Sequence, residues 1–169
     1  MFFIHALDLL KPGGRVGFVT SNAWLATEYG VALQLFLLRE TRIIAIVGSE
    51  AEPFFPQAAI NTVVTIAEKP TKPQTDKDDY TLRFASLKRT ISDVTASAAG
   101  NRWAAMDGLA ASIESATAPF EDATLRVRFG SRHTEYAKLL DKTSVLPWNL
   151  PMRAPRLLLE TLNTDYQHA

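Results

Sequence analysis

The sequence predicts an α/β fold built on a mixed sheet, followed by a less regular α+β segment. Three observations predict it. Helical and extended periodicities alternate over residues 2 to 69, short apolar runs between breaker residues mark covered strands, and the regularity fades after residue 85.

Taken in order, Phe2, Phe3, Ala6, Leu9 and Leu10 recur at spacings of three and four, which predicts a helix with those residues on its inner face. Lys11-Pro12-Gly13-Gly14 supplies the breakers that end it. "RVGFVT" reads as a strand; apolar on both faces after its first residue, it suits a central strand of a covered parallel sheet. "YGVALQLFLLRE" is a second helix, with Val31, Leu35 and Leu38 on one stripe and Leu33, Phe36 and Leu37 widening it. "RIIAIVG" and "NTVVTIAEK" are two further strands. The link between them, "SEAEPFFPQAAI", shows no helical period, and so short a connection joins strands antiparallel. The sheet is therefore mixed, with an antiparallel strand near its edge.

"PTKPQTDKDD" is a surface loop, and "YTLRFASL" a strand with Tyr80, Leu82 and Phe84 on one face. "RTISDVTASAAGNRW" fits helix or loop, and "MDGLAASIESA" a short helix. "TLRVRFGSRHTEYAKLL" holds a strand and then a helix, while "LPWNLPMRAPRLLLETL" places three prolines before a final helix. No internal repeat is visible.

Composition narrows the function. The 169 residues suffice for one domain with a core, or a domain plus an appendage. Lys+Arg and Asp+Glu stand at 18 each, so net charge makes no case for an acidic partner, although a local patch would suffice. The absence of cysteine excludes disulfides, thiolate metal sites and cysteine nucleophiles. His5, His133 and His168 have no metal-ligand spacing, and no metal is expected. "MFFIHALDLL" lacks a basic start and a cleavage site and is too short to span a bilayer, so a cytoplasmic protein with no membrane partner is expected.

In an open α/β sheet ligands sit beyond the carboxyl ends of the strands. Asn22 and Trp24, just past the first strand, are thus candidates to border a pocket; alternatively Asn22 or Ser21 caps the next helix and Trp24 covers the core. Arg126, Arg128 and Arg132, with His133 and Phe129 among them, are candidates for DNA-backbone contacts, against the alternative of one solvated strand face. Arg153 and Arg156 are read the same way. His5, on an apolar helix, reads as a buried or half-buried structural histidine. No nucleophile-elbow pattern is present.

Two segments resemble a known family. "FFIHALDLLKPGGRVGFVTSNAWL" resembles the region that follows the Asn-Pro-Pro-Tyr motif of adenine-N6 DNA methyltransferases, and "FFPQAAINTVVTIAEK" resembles the loop and strand pair further on in that domain. Between them "YGVALQLFLLRETRIIAIVG" matches the intervening helix and strand. The nearest subgroup is that of type IIG restriction–modification and related phage-defence enzymes, to which "LPWNLPMRAPRLLLETL" adds a weaker likeness.

The resemblance implies a partial Rossmann-like sheet of an S-adenosylmethionine-dependent methyltransferase. It implies double-stranded DNA as substrate, with an extruded adenine whose amino group accepts the methyl. By it, Phe55 takes the place of the aromatic that packs on the flipped base, with Phe54 the weaker candidate. The glycine-rich cofactor loop, the acidic ribose ligand and the Asn-Pro-Pro-Tyr quartet have no counterpart here. Residues 1–87 are accordingly expected to be the carboxyl half of a catalytic domain, and 88–169 a segment leading toward a target-recognition region. Catalytic and cofactor-binding residues are expected outside this chain, in a missing amino-terminal half or a partner chain. The competing expectation is a non-catalytic interaction module on half a Rossmann-like sheet.

Overall fold

The computed structural model describes residues 2–55, 57, 60–96, 101–141 and 148–154. In chain order its elements are α1 (Phe2–Leu9), β1 (Arg15–Ser21), a 3-10 turn (Asn22–Leu25), α2 (Glu28–Glu40), β2 (Arg42–Ser49), β3 (Thr62–Glu68) and β4 (Thr81–Leu87). There follow α3 (Ile91–Ala96), α4 (Arg102–Ser115), β5 (Phe120–Glu121), β6 (Leu125–Ser131), α5 (Arg132–Leu140) and α6 (Asn149–Arg153). The strands form one six-stranded sheet in the order β1-β3-β2-β4-β6-β5. β3 runs antiparallel to both β1 and β2, β2 and β4 are parallel, and β6 is antiparallel to β4 and β5.

The mixed α/β sheet is as expected, with antiparallel β3 second from one edge. β1 differs from expectation. It is the edge strand, bonded along one side only to β3, and its Val19 is 48% exposed. Nor is it covered on both faces: Arg15, Gly17 and Val19 are exposed and only the Val16 and Phe18 side packs on a core, so apolarity on two faces here marks neither full cover nor a central place. The sheet also continues past residue 87, since β4 pairs with β6 over its whole length.

Side chains alternate across the sheet and build two cores. On one face Leu37 and Leu38 of α2, Phe3 and Leu7 of α1, Leu139 of α5 and Trp148 cover Ile43, Ile46, Leu82 and Phe84. On the other, Ile113 of α4 covers Ala45, Val47, Ala85, Leu125, Val127 and Phe129. A register shift between Ile43 and Ala45 lets Ile43 and Ile46 face the same core, the usual effect of a bulge.

In α1 the buried stripe is Phe3 and Leu7, while Phe2 and Leu9 are 77% and 87% exposed. A helix this short satisfies several apolar stripes in sequence, and packing selects one. His5 lies on its exposed side, contrary to the structural role expected of it. The end of α1 is tied to the end of β3. Lys69 donates through Nζ to the Leu7 and Leu10 carbonyls at 2.8 and 3.0 Å. Gly13, at φ 77°, donates its N–H to the Lys69 carbonyl at 2.7 Å.

The 3-10 turn is fixed from both ends. The Ser21 hydroxyl accepts from the Ala23 N–H at 3.2 Å, so Ser21 is the cap and Asn22 is not. Gln34 on α2 donates to the Trp24 carbonyl at 2.7 Å, and Gly30 lets the helix pass so close that an added Cβ would sit 1.8 Å from that oxygen. The predicted final helix, with Arg156, lies outside the described residues.

Candidate functional site

A cavity of about 320 Å³ opens at the carboxyl ends of β1, β2 and β4. Its walls include Asn22 after β1, Gly48 to Phe54 at and beyond the end of β2, Asn61 to Val63 entering β3, Ser86 on β4, and Met152 and Arg153 of α6. This is where an α/β sheet with parallel strands places a ligand, because the backbone leaves the strand plane there and side chains can converge.

Each wall has a local cause. Asn22 is set by its N–H, which donates to the Asn61 carbonyl at 2.9 Å and joins the first strand's exit to the third strand's entry. The loop after β2 is held by the Ser49 hydroxyl, which accepts from the Glu52 N–H at 3.2 Å, and by the Glu52 carboxylate, which accepts from the Ile91 N–H at 2.9 Å. At Gly48 a Cβ would lie 2.7 Å from the Met152 Cε, so α6 packs closely there and the methionine tip would have to shift to admit a larger residue.

The α6 wall is bound by buried cations. Arg126 and Arg128 are 7% and 6% exposed. Arg128 donates to the Pro151 and Ala154 carbonyls at 3.1 and 2.7 Å, and Arg126 donates to Met152 O at 3.3 Å while pairing with Glu50. The Ser86 hydroxyl donates to the same Met152 carbonyl at 2.9 Å. Burial, reinforced by the Arg128 charge, pushes Arg126 down to about 10, and burial lowers Arg128 as well. At neutral pH Arg126 therefore remains charged against Glu50.

The expected site residues are distributed unevenly over this geometry. Asn22 lines the cavity. Of the aromatic pair, Phe54 lines it, whereas Phe55 is 49% exposed on the same loop and is not among the lining residues. Trp24 is 4% exposed in the core, its Nε1–H donating to Thr20 Oγ1 at 3.1 Å and its ring set edge-on to Phe3 and Trp148. Arg126, Arg128 and Arg132 form no solvated face. Arg132, 5% exposed, donates to the carbonyls of Leu38, Thr75 and Asp78 at 2.9, 3.0 and 2.7 Å. All three guanidinium groups are thereby committed to backbone carbonyls inside the protein and are withheld from a phosphate.

Glu50, Ser86 and Met152 of the cavity wall were not singled out by sequence. The rule that ligands sit at strand ends could have found Ser86 and Glu50; nothing local could have found Met152. The residues present do not fit S-adenosylmethionine. The sequence has no G-x-G-x-x-G turn to receive the cofactor, and the cavity's two carboxylates already have protein partners, Glu50 in Arg126 and Glu52 in the Ile91 N–H. Among the described residues no cluster of histidine and carboxylate groups could hold a metal, and no helix is long and apolar enough to cross a membrane.

Residues 1–55 match the family model of the Eco57I restriction-modification methylase. The chain is 31% identical over 72 residues to the type II methyltransferase M.XhoI of Xanthomonas vasicola, a stretch that covers 41% of this chain and 13% of that protein. Its fold is shared with the type IIG restriction endonuclease BpuSI, at a TM-score of 0.54 and 14% identity over 85% of this chain and 15% of that one. A structure of a type I restriction–modification system matches similarly, at a TM-score of 0.53 and 18% identity over 91% of this chain and 31% of that one. Over residues 1–55 and the 72-residue stretch the chain is similar in sequence to restriction–modification methyltransferases, shares its fold with restriction–modification proteins, and spans a small part of their length.

Proposed function

We propose that this chain supplies the target-base wall of an S-adenosylmethionine-dependent DNA adenine-N6 methyltransferase of a restriction–modification or phage-defence system. The observation that carries this reading is the cavity at the strand ends, with Phe54 and Asn22 in its wall, inside a fold shared with restriction–modification proteins. An adenine extruded from a duplex loses its stacking and needs an apolar face and polar edge contacts in return. Phe54 offers such a face and Asn22 a donor and acceptor; Phe55, exposed on the same loop, is the alternative aromatic for the base.

The rest of the domain comes from elsewhere. Among the described residues β1 is a seven-residue edge strand with one side unpaired, which is a template for a further strand. A methyltransferase half carrying the cofactor loop and the Asn-Pro-Pro-Tyr motif, on the same polypeptide or a partner chain, would pair there. The same open edge favours the second reading, a non-catalytic interaction module that recruits a partner strand. Size-exclusion chromatography that returns a monomer with one cooperative melt would count against both.

The direct test is calorimetric titration of S-adenosylmethionine into the folded chain. The expected result is no heat, with adenine methylation appearing only when a complementary half is supplied. One-to-one binding by the chain alone would overturn the assignment, because the cofactor site would then lie within it.

A further inference from the structure

We infer that Arg153 is the phosphate-contacting residue of this site, seated at the mouth of the cavity to hold the DNA backbone beside the extruded base. The inference rests on the base-wall reading above and adds a positioning residue to it.

Arg153 is an exposed residue between two buried ones, Met152 at 4% and Ala154 at 6%. Both flanking carbonyls are bound by side chains from the sheet. Met152 O accepts from Ser86 and Arg126, and Ala154 O accepts from Arg128. Burying two guanidinium groups to fix one short turn is costly, since each gives up its hydration. What the turn gains is a fixed position for the one cation it presents outward. Arg153 lines the cavity, and it forms no ion pair among the described residues. Of the cavity's two carboxylates, Glu50 is paired with Arg126, and Glu52, which accepts the Ile91 N–H, makes no ion pair with Arg153 among the described residues.

A pocket that takes a flipped base leaves that nucleotide's phosphates outside the opening. A guanidinium is the group best suited to grip them, with a planar fork that bonds two phosphate oxygens at once. Arg126, Arg128 and Arg132 are spent internally, so Arg153 is the cation of the cavity wall that remains available.

The test compares wild type, Arg153→Ala and Arg153→Lys of the full chain by fluorescence anisotropy. The probes are a labelled duplex with an adenine opposite an abasic site and its fully paired counterpart, from low to moderate salt. Arg153→Ala should weaken binding about three- to tenfold at low salt and reduce the slope of log affinity against log salt by about 0.9, the value of one phosphate contact. Arg153→Lys should keep most of the slope, since a lysine still neutralises a phosphate. All three should melt alike. Unchanged affinity and slope in Arg153→Ala would overturn the inference and leave the base wall standing. A wild type that binds both duplexes equally, with Phe54→Ala behaving the same, would overturn the base wall; a slope still lost in Arg153→Ala would leave the phosphate contact in place. No binding of either duplex would overturn both.

Discussion

Replacing Gly30 by alanine should destabilise the protein, whereas the same replacement at Gly108 should stabilise it. In ordinary helical terms both gain, because alanine is favoured over glycine in a helix interior by about 0.8–1 kcal/mol. The surroundings differ. At Gly108 on α4 an added Cβ meets nothing within 4 Å. At Gly30 it would lie 1.8 Å from the Trp24 carbonyl oxygen and 2.6 Å from the carbonyl carbon, both backbone atoms that cannot rotate away. Relief requires α2 and the 3-10 turn to part by more than an ångström, which also stretches the 2.7 Å bond from Gln34 to Trp24 O. Overpacking costs about 1–3 kcal/mol, and a weakened buried hydrogen bond about 1 more. Set against the helical gain, the net loss is about 1–3 kcal/mol. For a chain of this size that lowers Tm by about 2–12 °C, while Gly108→Ala should raise it by about 2–4 °C. Thermal denaturation followed by circular dichroism reads both. Equal shifts of the same sign would refute the close approach of α2 to the turn, and with it the placement of Asn22 at the cavity.

Two further outcomes follow from the geometry. Arg128→Leu removes the donors to Pro151 and Ala154 and should speed tryptic cleavage after Arg153 several-fold; net destabilisation should stay near 1–3 kcal/mol, because the lost hydrogen bonds are offset by a cation no longer desolvated. A cleavage rate equal to wild type would show that the arginine does not hold the segment. Tyr80, whose hydroxyl donates to the Thr41 carbonyl at 2.9 Å, is pushed up by burial to about 12. An acid raised in the fold favours its protonated form, so its stabilisation is complete below pH 10 and is lost as pH rises from 10 toward 12. Tm of wild type should therefore fall relative to Tyr80→Phe across that window, and a constant difference would contradict the burial.

The strands and helices up to residue 69 were legible because short-range patterns report them. Period two marks β3 and breakers mark the exit of α1. The antiparallel link was legible from its length alone. The placement of β1 was not, because a strand's neighbours across hydrogen bonds leave no trace in side-chain alternation. Arg126 and Arg128 read as a polar face because charge two residues apart on a strand is usually solvated. Their burial depends on carbonyls of residues 150–154, more than twenty positions away and without a sequence signal. Within the site, Asn22 was found by its position after a strand, and Phe54 and Phe55 by resemblance. Which of the two faces the cavity is settled by loop conformation, which two adjacent identical residues cannot disclose.

The Lys69 contact bears on the order in which the chain acquires its shape. α1 is made before β3, and the ammonium that binds its terminal carbonyls lies 62 and 59 residues further on. At roughly 5–20 residues per second that delay is about 3–12 s, during which an isolated eight-residue helix is too short to persist in water. α1 is thus locked only after β3 has been made. Until β3 is complete, Phe3 and Leu7 remain available to chaperones that recognise apolar nascent chains, and the timing of that exposure is set by a lysine three strands downstream.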